Sequence, residues 1–164
     1  EAKAVWEYLV GNLDNQVTTF SRLIELLKQE NQSLIKRKHQ QLSEITEKKE
    51  LITPQISELQ KEMYSILSRI LVTEGDKTLT RLIEVAPGEY SQQLVRYKEK
   101  INRQKKELMM LRYRNQKLME NSLRYVQHMM NRVMDFCSDN QEVYSSGGRS
   151  GQIGNNRNLM NVVA

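Results

Sequence analysis

The sequence contains few residues that interrupt a helix. Only two prolines and seven glycines occur among 164 residues, and most of the glycines stand close together after residue 146. Glycine and proline are the residues that a helix interior tolerates least. Their scarcity predicts that the chain before that point is almost entirely helical, and it excludes the glycine-rich loops that cradle phosphate groups.

Cysteine and long apolar runs are also scarce. A single cysteine, Cys137, excludes an internal disulfide and fits a reducing cytoplasm. No apolar run approaches the roughly 18 residues that cross a bilayer, so we expect no membrane insertion. Residues 1–6 lack the basic start and apolar core of a secretory signal, although the missing initiator methionine leaves a trimmed N terminus open. We therefore expect a cytoplasmic protein.

Residues that build enzyme and metal sites are sparse and dispersed. The two histidines, His39 and His128, are far apart, and no pair of histidines or cysteines has the spacing of metal ligands. The carboxylates fall singly on helix exteriors, where nothing fixes two of them over a cleft. The sequence therefore predicts no catalytic residue, no metal, no cofactor and no enzymatic activity.

A long apolar seam is the main feature that the sequence does contain. Between Leu13 and Ile70, apolar residues recur at alternating steps of four and three, which places them along one side of an α-helix. Such a seam cannot be buried within one helix and must contact another. The period slips near residues 34–42. We predict a chain reversal at residues 36–41; the alternative is a single helix of about 100 Å with a stutter.

The seam predicts three long helices and a connector, over residues 4–35, 41–72 and 89–138, with the connector at 73–88. Within the connector, Thr78–Glu84 is a candidate short amphipathic turn or helix. Pro54 should kink the second helix or force a local cap. Asn31 and Asn115 fall at seam positions, where buried amides fix the register of neighbouring helices.

The predicted fold class is all-α: an elongated antiparallel three-helix coiled-coil bundle with a long C-terminal helix and a flexible Gly/Ser/Asn tail. We predict a helical domain at residues 1–138 and the tail at 139–164, because the tail cannot bury enough apolar surface to offset its chain entropy. The tip of the tail, Leu159–Ala164, is apolar. It fits either a hook for a partner or an ordinary flexible terminus.

The third helix is longer than its predicted neighbours. An antiparallel bundle would leave about its last four turns uncovered, so that its seam would be exposed. A second apolar stripe lies on the same stretch, where methionines suit non-identical partners. The alternative is that both stripes are core against the first two helices. The candidate partner-binding residues are Leu118, Met119, Leu123, Tyr125, Val126, Met129, Met130, Val133, Met134 and Phe136.

The formal net charge is +5, and the basic residues concentrate in the last long helix. They are spread around that helix and interrupted by glutamates, as on a solvated coiled-coil exterior. No nucleic-acid-reading motif accompanies them, so we expect no nucleic-acid partner. A steep fall of DNA or RNA affinity with added salt would revive that alternative.

Three short passages form a further pattern through their order and spacing. They are Leu42–Leu51 (LSEITEKKEL), Leu79–Glu84 leading through Pro87 to Leu111–Asn115 (LRYRN), and Val143–Arg149 (VYSSGGR). Together they resemble the FlgN family of flagellar type III export chaperones over about residues 10–150. The first is similar to the family's leucine and acidic stretch, the second to its connector helix and last-helix asparagine, and the third to its tyrosine and glycine element.

The resemblance implies a use for the predicted surfaces. Family members hold hook-associated, hook–filament junction subunits in the cytoplasm before secretion. The final helix and tail would bind the C-terminal helical segment of such a protein and prevent premature assembly. Tyr144 would dock the complex on the cytoplasmic domain of the flagellar export gate. The alternative is a generic coiled-coil scaffold or tether that self-associates through the same seams, and weak homo-oligomerisation stays open.

Overall fold

Four helices account for nearly all of the described backbone in the computed structural model. The structure describes residues 2–71 and 78–144, and it describes side-chain surroundings for 3–71 and 78–136. No strand occurs within those residues, so the all-α prediction is confirmed. The helices are α1 (Ala2–Ile35), α2 (His39–Ile70), α3 (Leu79–Val85) and α4 (Gly88–Tyr144).

A tight reversal at residues 36–38 separates α1 from α2. The Lys38 N–H donates to the Ser33 carbonyl at 2.9 Å, and the Arg37 N–H donates to the Leu34 carbonyl at 3.3 Å. These two bonds form a Schellman motif, with Arg37 in the left-handed region at φ 55°. The predicted reversal is confirmed, and the alternative of one continuous helix is wrong.

The chain divides into two compact units, residues 1–122 and 123–164. In the first unit, α1 runs antiparallel to α2. Asn12 donates to Glu62 at 3.0 Å near one end of the pair, and Ser33 donates to Gln41 at 3.3 Å near the other. The predicted antiparallel packing of the first two long helices is therefore confirmed.

In contrast to α1 and α2, the helices α1 and α4 run parallel to each other. Trp6 stacks on Tyr90 with ring centroids 5.9 Å apart, and Asn31 donates to Asn115 at 2.8 Å. Residue numbers thus increase together along the pair. The three long helices pass up, down and up, so the first and last are parallel within an otherwise antiparallel bundle.

Two sides of α1 are buried. The predicted apolar seam forms one side, and its members Leu9, Leu13, Val17, Phe20, Ile24 and Leu27 are all buried. A second set follows the same four and three steps and was not predicted; it consists of Asn12, Gln16, Thr19, Glu30 and Ser33, with Leu23 and Leu26 in the middle of the series. Because α1 contacts both other long helices, it needs two buried sides, and the one toward α2 is largely polar.

The connector contains the short helix that was predicted, α3. The Thr78 hydroxyl accepts a hydrogen bond from the Arg81 N–H at 3.3 Å and caps its first turn. Leu82 is fully buried and packs in the main core cluster. The short helix therefore covers part of the bundle while it joins α2 to α4.

Two further predictions concern helix continuity. α2 continues across Pro54, which is exposed, so the helix does not end there. α4 was predicted to end at Ser138 but continues to Tyr144, because residues 139–144 (DNQEVY) are polar yet include no glycine or proline. The predicted tail from residue 145 to 164 lies outside the described residues. Over the described ranges, no helix combines the length and the apolarity that a bilayer crossing requires.

Candidate partner-binding surface

The apolar seam of α4 is buried where it runs through the first unit. Leu94, Ile101 and Leu111 are between 0% and 8% exposed. Tyr97 and Leu108 between them are half-buried and pack against the same core. This part of the predicted seam is confirmed, since other helices of the chain cover it.

The same spacing continues in the unit that begins at residue 123, but there the seam side chains are exposed instead of buried. Leu123, Val126, Met130 and Val133 follow one another at steps of three and four and are 50–60% exposed. All described side chains from Asn121 to Phe136 are exposed. This stretch of α4 thus carries a seam of the kind that needs a neighbour, with its side chains open to solvent.

The two predicted stripes form one surface in this unit. At about 100° per residue, eight predicted residues share about half of the helix circumference, and Gln127, His128 and Asn131 lie on the other half. Single exposed apolar residues are ordinary, but a contiguous set marks an interaction site. We call this set the α4 apolar face; its members are Leu123, Tyr125, Val126, Met129, Met130, Val133, Met134 and Phe136, each at least 50% exposed.

The other predicted site residues lie elsewhere. Leu118 and Met119 belong to the first unit; Leu118 is half-buried and Met119 is 46% exposed. Tyr144 is the last residue of α4, and its side chain lies outside the part that the structure describes. The structure therefore brings eight of the predicted residues into one face and does not test the role of Tyr144.

Met119 borders a groove between α2 and α4 in the first unit. The groove has a volume of about 650 Å³, and α1 forms its floor. The side chains that line it are partly apolar, including Leu23, Leu27 and Ile56, and partly polar, including Lys49, Arg112 and Gln116. Ile56 of the α2 seam, which lines this groove, is accordingly only half-buried.

A buried polar network lies at the floor of the groove. The Asn115 amide, 1% exposed, donates to the Leu27 carbonyl at 2.9 Å and to the Glu30 carboxylate at 2.8 Å. The Glu30 carboxylate also forms an ion pair with Lys49 of α2. Asn31 donates to Asn115, so the two seam amides, whose pairing was not predicted, contact each other. The network joins all three long helices at one level.

Sequence reasoning missed the acidic and basic members of this network. The carboxylates were predicted to lie on helix exteriors and no role was predicted for Lys49, yet Glu30 is 4% exposed. The available signal was the polar series on α1, in which Asn12, Gln16 and Thr19 repeat at coiled-coil steps. Buried polar side chains at such steps must find hydrogen-bond partners. Asn12 and Gln16 find theirs on α2, whereas Thr19 donates to the Asn15 carbonyl of its own helix.

Exposed charges also tie α1 to α4. Lys28 and Glu107 form an ion pair at 2.8 Å, and the hydrogen bond to Glu107 raises the pKa of Lys28. Burial, and a hydrogen bond to Asp14, raise the pKa of Tyr97. Neither pair lies in a cleft. Among the described residues, no group of three or more His, Cys, Asp or Glu side chains is placed to hold a metal ion.

Comparison with known proteins places this architecture in a family. No curated protein and no solved structure matches the chain. The family model described as FlgN protein matches residues 6–151, which is most of the chain and spans all four helices. The chain therefore belongs to the FlgN family.

Proposed function

We propose that this chain is an export chaperone that binds a hook-associated flagellar protein, prevents its premature assembly and delivers it to the flagellar type III export gate. Membership of the FlgN family indicates a flagellar export chaperone. The hook-associated cargo, the use of its C-terminal helical segment and the cytoplasm as the site of action are the finer parts of the proposal. The proposed function includes no catalytic step.

The α4 apolar face is the observation that supports cargo binding. An amphipathic helix can lay its own apolar side on such a face, a common mode of peptide recognition. Full burial of one large apolar side chain contributes about 1.5–3 kcal/mol. The eight members are each at least half exposed, so covering them would contribute about 6–12 kcal/mol, which is comparable with the cost of association, about 4–15 kcal/mol. Cargo bound there would have its own apolar face hidden.

The composition of the face supports a chaperone rather than a permanent subunit. Met129, Met130 and Met134 are each 50% exposed. Their unbranched thioether side chains adapt to differently shaped surfaces. A methionine-rich face therefore suits cargo helices of non-identical sequence, which it must hold and later release.

Charge placed on the apolar face tests the proposal. We expect the triple variant Met129→Glu, Met130→Glu, Met134→Glu to bind a hook-associated subunit at least about 100-fold more weakly by calorimetry, because three desolvated charges would enter the interface. The matched control, Gln127→Glu, His128→Glu, Asn131→Glu, adds similar charge on the polar side and should bind normally.

Circular dichroism separates the two interpretations of this face. If the methionine variant keeps its far-UV helical signal and loses cargo, the binding interpretation stands. Unchanged cargo affinity would contradict it. A loss of helical signal in the methionine variant alone would instead favour the alternative in which these stripes are core.

Tyr144 is the proposed contact with the export gate, through its position in the family's tyrosine and glycine element. We expect Tyr144→Ala to keep cargo affinity and to weaken binding to the cytoplasmic domain of the gate. Tyr144→Phe should bind the gate nearly as well if the ring makes the contact. If Tyr144→Ala changes neither affinity, this assignment is wrong.

A self-associating scaffold is the second candidate function. The observation in its favour is that Leu123, Val126, Met130 and Val133 have coiled-coil spacing and would also fit a second copy of the chain. Light scattering distinguishes the two functions. A monomer or small oligomer that forms a discrete complex with a hook-associated subunit supports the chaperone, and a concentration-dependent assembly that ignores such subunits supports the scaffold.

A further inference from the structure

A second exposed surface lies on α4 within the first unit, and it is strongly basic. Between Arg96 and Lys117 the chain carries nine basic and two acidic residues. One of those acids, Glu107, is already paired with Lys28 of α1. By contrast, α1 carries three basic and four acidic residues, and α2 carries four and five. The excess positive charge of the bundle is thus concentrated on α4.

Large apolar side chains are interspersed among these charges. Met109 is 72% exposed, Met110 49% and Tyr113 63%. At about 100° per residue, they lie on the same outward side of α4 as three exposed basic residues. We call this set the α4 basic face; its members are Arg103, Lys106, Met109, Met110, Tyr113 and Arg114. The ammonium of Lys117, 5.7 Å from the centre of the Tyr113 ring, adjoins it.

We propose that the α4 basic face binds peripherally to a bilayer that contains anionic phospholipids. Clustered lysine and arginine side chains are attracted to anionic headgroups. Methionine and tyrosine side chains beside them can enter the boundary between headgroups and acyl chains, which strengthens such binding. Because no described helix is able to cross a membrane, the contact is with the surface.

The exposed methionines favour lipid over nucleic acid as the occupant. A nucleic-acid surface offers phosphates and stackable bases, which suit the basic residues and Tyr113. It offers no apolar layer to cover Met109, the most exposed large apolar side chain of the described residues. An anionic bilayer provides both the charge and the apolar layer. The basic face is also distinct from the α4 apolar face, so lipid and cargo binding are separate activities.

Vesicle sedimentation of the full-length chain tests the charge contribution. We expect binding to vesicles of phosphatidylcholine with a quarter phosphatidylglycerol, and little binding to phosphatidylcholine alone. The variant Arg103→Gln, Lys106→Gln, Arg114→Gln should partition about 100-fold more weakly, since each lost charge, worth about 1 kcal/mol, weakens binding by about fivefold. The control Lys36→Gln, Lys48→Gln, Lys61→Gln removes the same charge from exposed sites on the reversal and α2 and should change partitioning little.

A second pair of variants tests the apolar contribution without changing charge. Met109→Ser with Tyr113→Ser should weaken partitioning about tenfold, and Tyr8→Ser with Leu51→Ser, at positions 57% and 70% exposed, should not. Equal binding to neutral vesicles, or unchanged binding by either test variant, would overturn the proposal. Binding to single-stranded RNA in place of anionic vesicles would assign the face to nucleic acid. Cargo affinity, measured in parallel, should be unchanged in every variant, so a failure of the proposed chaperone function would be seen separately.

Discussion

The two parts of α4 carry the same apolar spacing and opposite burial. Leu94 and Leu111 are 0% and 8% exposed, whereas Leu123 and Val133 are each 60% exposed. Sequence periodicity states that a helix side needs a neighbour, but it does not state which molecule supplies that neighbour. Within residues 1–122, other helices of the chain supply it. From residue 123, we propose that the cargo does.

The comparison predicts opposite effects of truncating a leucine in the two parts, and the covered part should show the larger effect on stability. Leu94→Ala removes a fully buried side chain and should lower the free energy of unfolding by about 3 kcal/mol, within the 2–5 typical of buried leucines. Urea denaturation measures this change. Cargo affinity of the folded variant should be unaltered; a weakened affinity would show that the covered seam also contacts cargo.

The polar network should be the next most sensitive feature of the covered part. Asn115→Leu would leave the Glu30 carboxylate and the Leu27 carbonyl without their amide donor. We expect a loss of about 2–3 kcal/mol in unfolding free energy, because unsatisfied buried polar groups each cost about 1–3 kcal/mol. Asn102→Leu, at an exposed position of the same helix, should change stability by less than about 0.5 kcal/mol. Similar losses in both variants would contradict the network's role.

A substitution in the exposed part of α4, from residue 123, should change cargo affinity rather than the free energy of unfolding. Leu123→Ala should change the free energy of unfolding by less than about 0.5 kcal/mol, since the side chain is 60% exposed. Cargo affinity should fall about 5- to 30-fold, because a leucine side chain covered by cargo contributes about 1–2 kcal/mol. Calorimetry and urea denaturation of the same preparation measure both. Destabilisation comparable with that of Leu94→Ala would remove the distinction between the two parts.

The smallest predicted effect is on stability, and it comes from a substitution in the reversal between α1 and α2, within residues 1–122. Arg37 has a positive φ of 55°, which glycine adopts at little cost. Arg37→Gly and Arg37→Ala both lack the arginine side chain, so the difference between them reports the backbone preference at this position. The glycine variant should be more stable by about 1 kcal/mol in thermal or urea unfolding. Equal stability would mean that the left-handed conformation contributes no strain.

Much of the fold follows from local patterns in the sequence. Apolar spacing predicted the long helices, the slip near Leu34 predicted the reversal, and the amphipathic pattern of Thr78–Glu84 predicted α3. The seam positions of Asn31 and Asn115 predicted amides that fix the register of neighbouring helices, although their hydrogen bond to each other, 2.8 Å long, was not predicted. These features are predictable because each depends on residues three or four positions apart on one helix.

The remaining features depend on how three helices are rotated against one another. The Glu30–Lys49 ion pair and the hydrogen bond from Gln104 to the Val17 carbonyl, 2.9 Å long, join residues distant in sequence. Spacing alone does not determine which polar side chains meet across an interface. The basic residues of α4 were interpreted as spread around the helix for a related reason. That some of them share one exposed side becomes clear only when the side covered by the other helices is known. The helix end at Tyr144 was missed because polar composition was taken as a stop signal.

Oxidative footprinting of methionines tests the central claim most directly. In the free chain, Met129, Met130 and Met134 should be oxidised at rates close to that of exposed Met109, and faster than half-buried Met63. Saturation with a hook-associated subunit should slow oxidation of the first three several-fold and leave Met109 unchanged. If those three methionines oxidise as slowly as Met63 in the free monomer, or as fast with cargo as without it, the α4 apolar face is not the cargo site.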